Sequence, residues 1–96
     1  LMNNQVLGMV RQWQKAFYDN RFSQTSPDRH TNFENLAKAF GINYIKIAKN
    51  DDIDTAVKSA FDMNAPVLLD CRISPDVNVL PMIPPGKSAE DIMLEM

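Results

Sequence analysis

An alternation of strand and helix patterns most constrains the fold of this chain. Residues 67–73 form a near-continuous apolar run, which is typical of a strand covered on both faces. Residues 44–48 alternate apolar and polar side chains and predict a second strand. Between them, an amphipathic helix is predicted from apolar residues at intervals of three and four: Ile53, Ala56, Val57, Ala60 and Phe61. Strand, helix and strand in this order predict an α/β fold, a parallel sheet with flanking helices and right-handed crossovers.

Two more helices and a loop are predicted before these elements. Residues 7–20 have a helical apolar period, carried by Leu7, Val10, Trp13 or Gln14, and Phe17. Residues 21–31 are polar, contain Pro27 and have no period, so they predict a surface loop. Asn32 is a candidate N-cap for a short helix that Gly41 would end.

The third helix and the C-terminal region carry their own boundary signals. Asp51 or Asp52 is expected to cap the helix that follows, and the acidic cluster there suits a helix N-terminus rather than acid–base chemistry. Prolines and a glycine at residues 81–86 predict an irregular loop. Ser88, with Asp91 three residues later, predicts a capped short helix through Met93.

Composition limits the range of functions. The 96 residues are 45% hydrophobic and suffice for one small domain. A formal net charge of −2 gives no basic footprint for nucleic acid or an anionic membrane, so neither partner is expected. No apolar run is long enough to span a bilayer. The single Cys71 is expected to be a buried, unreactive thiol in a reducing, cytoplasmic setting. His30, in the polar loop, is expected to be solvated.

The segment NNQVLGMVRQWQ, residues 3–14, holds the strongest functional signal. Its asparagine pair follows an apolar stretch and precedes a helix, and ligands of parallel sheets bind at such carboxyl ends of strands. An asparagine oxygen suits Mg²⁺, which takes oxygen ligands and often bridges protein to phosphate. Taken alone, however, an asparagine pair is more often a turn or a helix cap. The residues by themselves leave both interpretations open.

Four segments together resemble the large catalytic subunit of acetolactate synthase (acetohydroxyacid synthase). They are NNQVLGMVRQWQ, the FxxLAxAFGI element at 33–42, PVLLD at 66–70 and VLPMIPPG at 79–86. The resemblance implies that residues 1–96 are the C-terminal part of a thiamine diphosphate-binding domain, with a C-terminal loop and short helix at 79–96. It also implies a role in condensing pyruvate with pyruvate or 2-ketobutyrate, with loss of CO2, in branched-chain amino acid biosynthesis.

The resemblance assigns cofactor, metal and substrate roles to named residues. Mg²⁺ is expected to bind the side chain of Asn4 and the backbone carbonyl of Val6. The cofactor-binding residues are expected to be Asn4, Val6, Gly8 and Met9. The substrate and inhibitor pocket is expected to be lined by Met9, Val10, Trp13 and Pro85, with Trp13 favouring the larger acceptor acid. Met9 and Trp13 are four residues apart, so they share one face of a helix.

The same resemblance implies that catalysis needs groups outside this segment. The family's GDG aspartate, its cofactor-activating glutamate from a partner subunit and its FAD-binding middle domain are not in this sequence. We expect no catalytic residue here and no synthase activity from the isolated chain, which we interpret as a C-terminal fragment. The parent is expected to be a homodimer or homotetramer with a regulatory subunit. Two alternatives stay open: another thiamine diphosphate-dependent decarboxylase or carboligase, or a non-catalytic α/β interaction module.

Overall fold

The computed structural model describes residues 1–27 and 30–96. Residues 28 and 29, which belong to the predicted loop 21–31, lie outside the described residues. The chain divides into two compact units. The sheet unit comprises Leu1–Gln5 and Asp28–Ser74, and the helix unit comprises Val6–Pro27 and Pro75–Met96. Each unit is described separately below.

The sheet unit contains the predicted parallel sheet. Its strands are β1 (Met2–Asn3), β2 (Asn43–Ile47) and β3 (Val67–Arg72), in the order β1-β3-β2. Both pairings are parallel. The prediction of an α/β fold with a parallel sheet is therefore confirmed, with β2 one residue earlier than predicted and β3 one residue shorter.

The two faces of this sheet differ in polarity. Side chains alternate along a strand, and paired residues of parallel strands share a face. Lys46 pairs with Asp70 and Asn3 pairs with Arg72, which gives one polar face. The opposite face is apolar and includes Met2, Ile47, Leu69 and Cys71. The apolar run at 67–73 predicts a strand with two apolar faces. In the structure its polar members, Asp70 and Arg72, both lie on one face, so only the opposite face is apolar.

Two helices flank this sheet within the same unit. Helix α2 is Phe33–Ala39, and the Asn32 side chain accepts a hydrogen bond from the Asn35 amide at 2.9 Å, as the predicted N-cap requires. Gly41 follows with φ of +69°, a left-handed conformation that ends the helix and suits glycine. Helix α3 is Ile53–Asp62. Asp52 occupies its N-cap position, but no side-chain capping bond forms, since a 3₁₀ turn, Asn50–Asp52, leads directly into the helix.

Burial of apolar side chains is sparse. Among the described residues the buried apolar side chains are Ala37, Ile47 and Ala56, all in the sheet unit. The apolar stripe of α3 is only partly covered, since Ile53 is 43% exposed and Phe61 is 82% exposed. Cys71 is a free thiol and is half-buried rather than buried.

The helix unit is built on one helix and two irregular segments. Helix α1 is Gly8–Phe17, shorter than the predicted 7–20, because Asp19 and Asn20 turn left-handed with φ of +50° and +59°. Ser88 and Asp91 form the predicted capping box. The predicted helix through Met93 is wrong, however: only a 3₁₀ turn, Ala89–Asp91, forms, and Met93 pairs with Met82 in an antiparallel bridge.

In the part of the chain that the structure describes, no helix combines the length and the apolar character needed to cross a bilayer.

Candidate functional site

The carboxyl end of β1 carries the asparagine pair. Asn3 ends the strand and is 8% exposed, and Asn4 follows it half-buried. Gln5 then adopts a left-handed conformation with φ of +59°, which stops the strand. The backbone amide of Gln5 donates to Asn3 Oδ1 at 3.2 Å, so the Asn3 side chain spans the residue between them. Asn4 therefore lies in a tight turn at the carboxyl ends of the strands, which is where parallel sheets bind ligands.

A buried polar network lies next to this turn. Asn3 Nδ2 donates to Asp70 Oδ1 at 2.8 Å, and the Tyr44 hydroxyl donates to Asp70 Oδ2 at 2.6 Å. The network thereby links one residue from each strand of the sheet. Asp70 is only 3% exposed, so both donors meet a carboxylate shielded from water. Such charge-assisted hydrogen bonds are among the strong ones in proteins.

The surroundings fix the proton positions in this network. Burial alone would raise the pKa of Asp70, but the hydrogen bonds from Tyr44 and Asn3 and the positive charges of Arg72 and Lys46 outweigh it and hold that pKa below its ordinary value. The hydrogen bond to Asp70, together with burial, raises the pKa of Tyr44 to about 12. At neutral pH Asp70 is therefore a carboxylate that only accepts, and Tyr44 is a phenol that donates.

The chemistry of the turn fits a hard cation better than a transition metal. The Asn4 side chain carries an amide oxygen, which is a ligand type that Mg²⁺ accepts. Of the residues described, 1–27 and 30–96, none form a group of three or more His, Cys, Asp and Glu side chains placed to hold a metal ion.

In the helix unit, the buried residue of α1 is polar. Gln12 is 4% exposed. Its Oε1 accepts from the Val79 amide at 2.7 Å, and its Nε2 donates to the Val79 carbonyl at 2.9 Å. One glutamine side chain thus satisfies both backbone groups of Val79, much as a neighbouring strand would. This pair fastens the start of the VLPMIPPG segment to α1.

Two further polar side chains of α1 hold the irregular segments of the same unit. Arg11 donates to Asp76 Oδ1 at 2.9 Å through Nη2, and its guanidinium carbon lies 4.0 Å from the ring centroid of Phe22. Gln14 donates to the Ser23 carbonyl at 3.0 Å and accepts from Thr25 Oγ1 at 2.8 Å. The polar side of α1 therefore organises this unit.

The apolar side of α1 is the exposed side. Met9, Val10 and Trp13 are 47%, 54% and 40% exposed, and together they line an open depression of about 320 Å³. Trp13 packs edge-on against Phe17, with ring centroids 6.1 Å apart. Three predicted pocket residues thus share one surface on the face that the chain leaves open. Indole and thioether groups there suit an apolar ligand surface.

The remaining predicted site residues lie at other places. Val6 and Gly8 are half-buried, Val6 just before α1 and Gly8 at its first position. Pro85 lies in an exposed turn of the helix unit, and the described residues lining the depression are Met9, Val10 and Trp13. His30 is exposed, as expected.

Sequence reasoning missed three residues that stabilise these places, Asp70, Tyr44 and Gln12, and it missed the specific role of Asn3. The one available signal for Asp70 was an acidic residue inside an apolar strand, and buried carboxylates need partners. Gln12 offered a weaker signal, because glutamine is common on helix surfaces.

Comparison with known proteins identifies the class of protein. Residues 1–71 match the thiamine pyrophosphate enzyme family, in its C-terminal TPP binding domain. This chain belongs to that family.

The similar curated proteins are more specific. The acetolactate synthase large subunit of Porphyra purpurea is 42% identical over 89 residues, which cover 92% of this chain and 15% of that protein. The acetolactate synthase isozyme 2 large subunit of Escherichia coli (strain K12) is 39% identical over 93 residues, covering 97% of this chain and 17% of that protein. The mitochondrial acetolactate synthase catalytic subunit of Saccharomyces cerevisiae is 34% identical over 96 residues. The chain thus spans 13–17% of the length of these relatives.

Proposed function

We propose that this chain is the part of an acetolactate synthase large subunit that contributes a metal ligand and a substrate surface to a thiamine diphosphate site. The whole reaction would condense pyruvate with pyruvate or 2-ketobutyrate, with loss of CO2, in branched-chain amino acid biosynthesis. Relatives that carry this name, at 34–43% identity, support the proposal. The single observation that carries it is the Asn4 turn at the carboxyl edge of a parallel sheet.

In this proposal Asn4 Oδ1 and the Val6 carbonyl oxygen would bind Mg²⁺, and groups outside this chain would supply the other ligands. Gly8 and Met9 lie at the start of α1, and a glycine there allows close approach of a cofactor. Thiamine diphosphate supplies the decarboxylation and carbon–carbon bond chemistry when bound. This chain's residues supply position: the left-handed turn at Gln5 keeps Asn4 at the sheet edge.

Met9, Val10 and Trp13 form the substrate surface in this proposal. An apolar wall excludes water from reacting groups and favours acceptor acids with a longer alkyl chain. Pro85 would join the pocket from the C-terminal loop, which Gln12 fastens at Val79. The support for Pro85 is its place in the VLPMIPPG segment alone.

The remaining functional groups would come from the rest of the larger protein. We propose that FAD, the GDG aspartate and the cofactor-activating glutamate lie outside this segment, and that the isolated chain is inactive. We further propose a cytoplasmic homodimer or homotetramer with a regulatory subunit. The resemblance to the acetolactate synthase family supports these statements.

A chimera tests this function directly. The matching C-terminal region of the Escherichia coli isozyme 2 large subunit is replaced by this chain, and acetolactate formation from pyruvate is measured with thiamine diphosphate, Mg²⁺ and FAD. We expect activity in the chimera and a loss of at least about 10-fold with Asn4→Ala, since a metal ligand is removed.

Asn35→Ala is the matched control, because Asn35 is exposed on α2. It should leave the activity of the chimera unchanged. Equal activity with Asn4→Ala would refute the metal role. A folded chimera that binds thiamine diphosphate but makes no acetolactate would favour another carboligase.

A further inference from the structure

We propose that Asp70 is a positioning residue for the metal-binding turn, and that it acts through Asn3 to set the backbone conformation that presents Asn4. The proposal rests on the metal role proposed for Asn4. It concerns residues of the sheet unit only.

Asp70 determines the orientation of the Asn3 amide. A carboxylate has no proton to donate, so the group facing Asp70 Oδ1 must be the NH2 of Asn3, as the 2.8 Å distance to Nδ2 indicates. The oxygen of the same amide then necessarily faces the other way. The Tyr44 hydroxyl, 2.6 Å from Oδ2, holds the carboxylate in the plane that makes this contact.

The orientation of the Asn3 amide stabilises the turn at Asn4. Asn3 Oδ1, oriented in this way, accepts from the Gln5 amide at 3.2 Å. This bond closes a ring around Asn4 and stabilises the left-handed Gln5, a conformation that non-glycine residues adopt infrequently. If the Asn3 amide turned over, an NH2 group would face the Gln5 N–H, and the bond would be lost.

A second contact holds the turn to the same strand. With the amide of Gln5 oriented to satisfy its hydrogen bonds, its oxygen accepts from Arg72 Nη1 and Nη2 at 3.0 and 3.1 Å. Asp70 and Arg72 lie on the same face of β3. The turn is therefore fixed to β3 through the backbone and the side chain of Gln5, and Asp70 governs the backbone contact.

The test uses the 96-residue chain and two readouts that do not depend on catalysis. NMR measures the hydrogen-exchange rate of the Gln5 amide, and line broadening by Mn²⁺, a probe that replaces Mg²⁺ at oxygen sites, measures metal affinity at Asn4 even when binding is weak. Asp70→Asn keeps the shape of Asp70 but can present either oxygen or NH2 to Asn3. We expect Gln5 exchange about 10-fold faster and Mn²⁺ affinity about 10-fold weaker.

Two controls separate this inference from the proposed function. Asp62→Asn makes the same acid-to-amide change at an exposed site of the same unit and should change neither readout. Asn4→Ala should abolish the local Mn²⁺ broadening; if it does not, the metal role itself is wrong. If Asn4→Ala abolishes broadening but Asp70→Asn changes neither readout, the positioning role is overturned and the metal role stands.

A second variant tests the proposal if Asp70→Asn does not fold. Asn3→Ala removes the link but leaves the Asp70–Tyr44 pair intact. We expect the same acceleration of Gln5 exchange and the same weakening of Mn²⁺ binding, with the amide signals of β2 and β3 unchanged. Wild-type exchange and affinity in a folded Asn3→Ala chain would overturn the proposal.

Discussion

The sheet unit and the helix unit each bury polar side chains, but for different structural purposes. In the sheet unit, the Asp70 carboxylate accepts from Asn3 and Tyr44 and reinforces strands that are already paired through their backbones. In the helix unit, Gln12 binds both backbone groups of Val79, at a position where the described residues form no neighbouring strand. Side chains thus supplement backbone pairing in one unit and replace it in the other.

The comparison also explains where the apolar residues lie. The three buried apolar side chains found among the described residues are in the sheet unit, whereas α1 buries Gln12 and exposes Met9, Val10 and Trp13. A helix normally turns its apolar stripe to the core. On α1 the polar side makes the contacts within the helix unit, and the described residues leave the apolar side exposed.

The largest expected effect is in the sheet unit. Asp70→Leu leaves the Tyr44 hydroxyl and the Asn3 NH2 without their acceptor, so we expect the free energy of unfolding to fall by about 3 kcal/mol. Hydrogen exchange measured by mass spectrometry should show the loss in β2 and β3 peptides more than in α1 peptides. Asp54→Leu, an exposed control in the first turn of α3, should cost well below about 1 kcal/mol. Equal losses in the two variants would show that the buried network does not stabilise the sheet unit.

Acid should weaken the sheet unit through the same carboxylate. The pKa of Asp70 is lowered in the folded state, so its stabilising contribution is present above the unfolded-state pKa of about 3.9 and disappears as the pH falls through the lower folded-state pKa. Urea denaturation of the wild type should show this loss between about pH 5 and pH 2. Asp70→Asn should remove that part of the pH dependence, and identical pH profiles would contradict it.

A smaller effect is expected at Arg11 in the helix unit. Its guanidinium binds Asp76, whose side chain is 61% exposed, so the ion pair contributes little, and the contact with Phe22 adds a modest amount. Arg11→Met should lower the free energy of unfolding by about 1 kcal/mol. Arg21→Ala is the exposed control and should cost less than about 0.5 kcal/mol. A loss at Arg11 as large as that of Asp70→Leu would mean that ion pairs carry the helix unit.

Much of the fold follows from local sequence signals. Asn32 and Gly41 mark the ends of α2 because capping and left-handed termination depend on residues a few positions apart. The predicted helix through Met93 failed because the antiparallel bridge to Met82 competes with the helix, and no local pattern reports that pairing.

The site was less predictable for the same physical reason. Asn4, Met9, Val10 and Trp13 are predicted from a short contiguous motif, whereas Asn3 and Asp70 meet across a sequence separation of 67 residues. Gln12 and Val79 are also 67 residues apart. Periodicity identifies the apolar face of α1, but it does not indicate which face the folded chain covers.

The polar side of α1 stabilises the helix unit, and its apolar side, which we propose as a substrate surface, is exposed. The most direct measurement is the difference in free energy of unfolding between Gln12→Leu and Val10→Gln. We expect a loss of about 1–3 kcal/mol for Gln12→Leu, since both backbone groups of Val79 lose their partner, and less than about 0.5 kcal/mol for Val10→Gln at an exposed site. The reverse order would contradict it and show that the apolar side carries the fold.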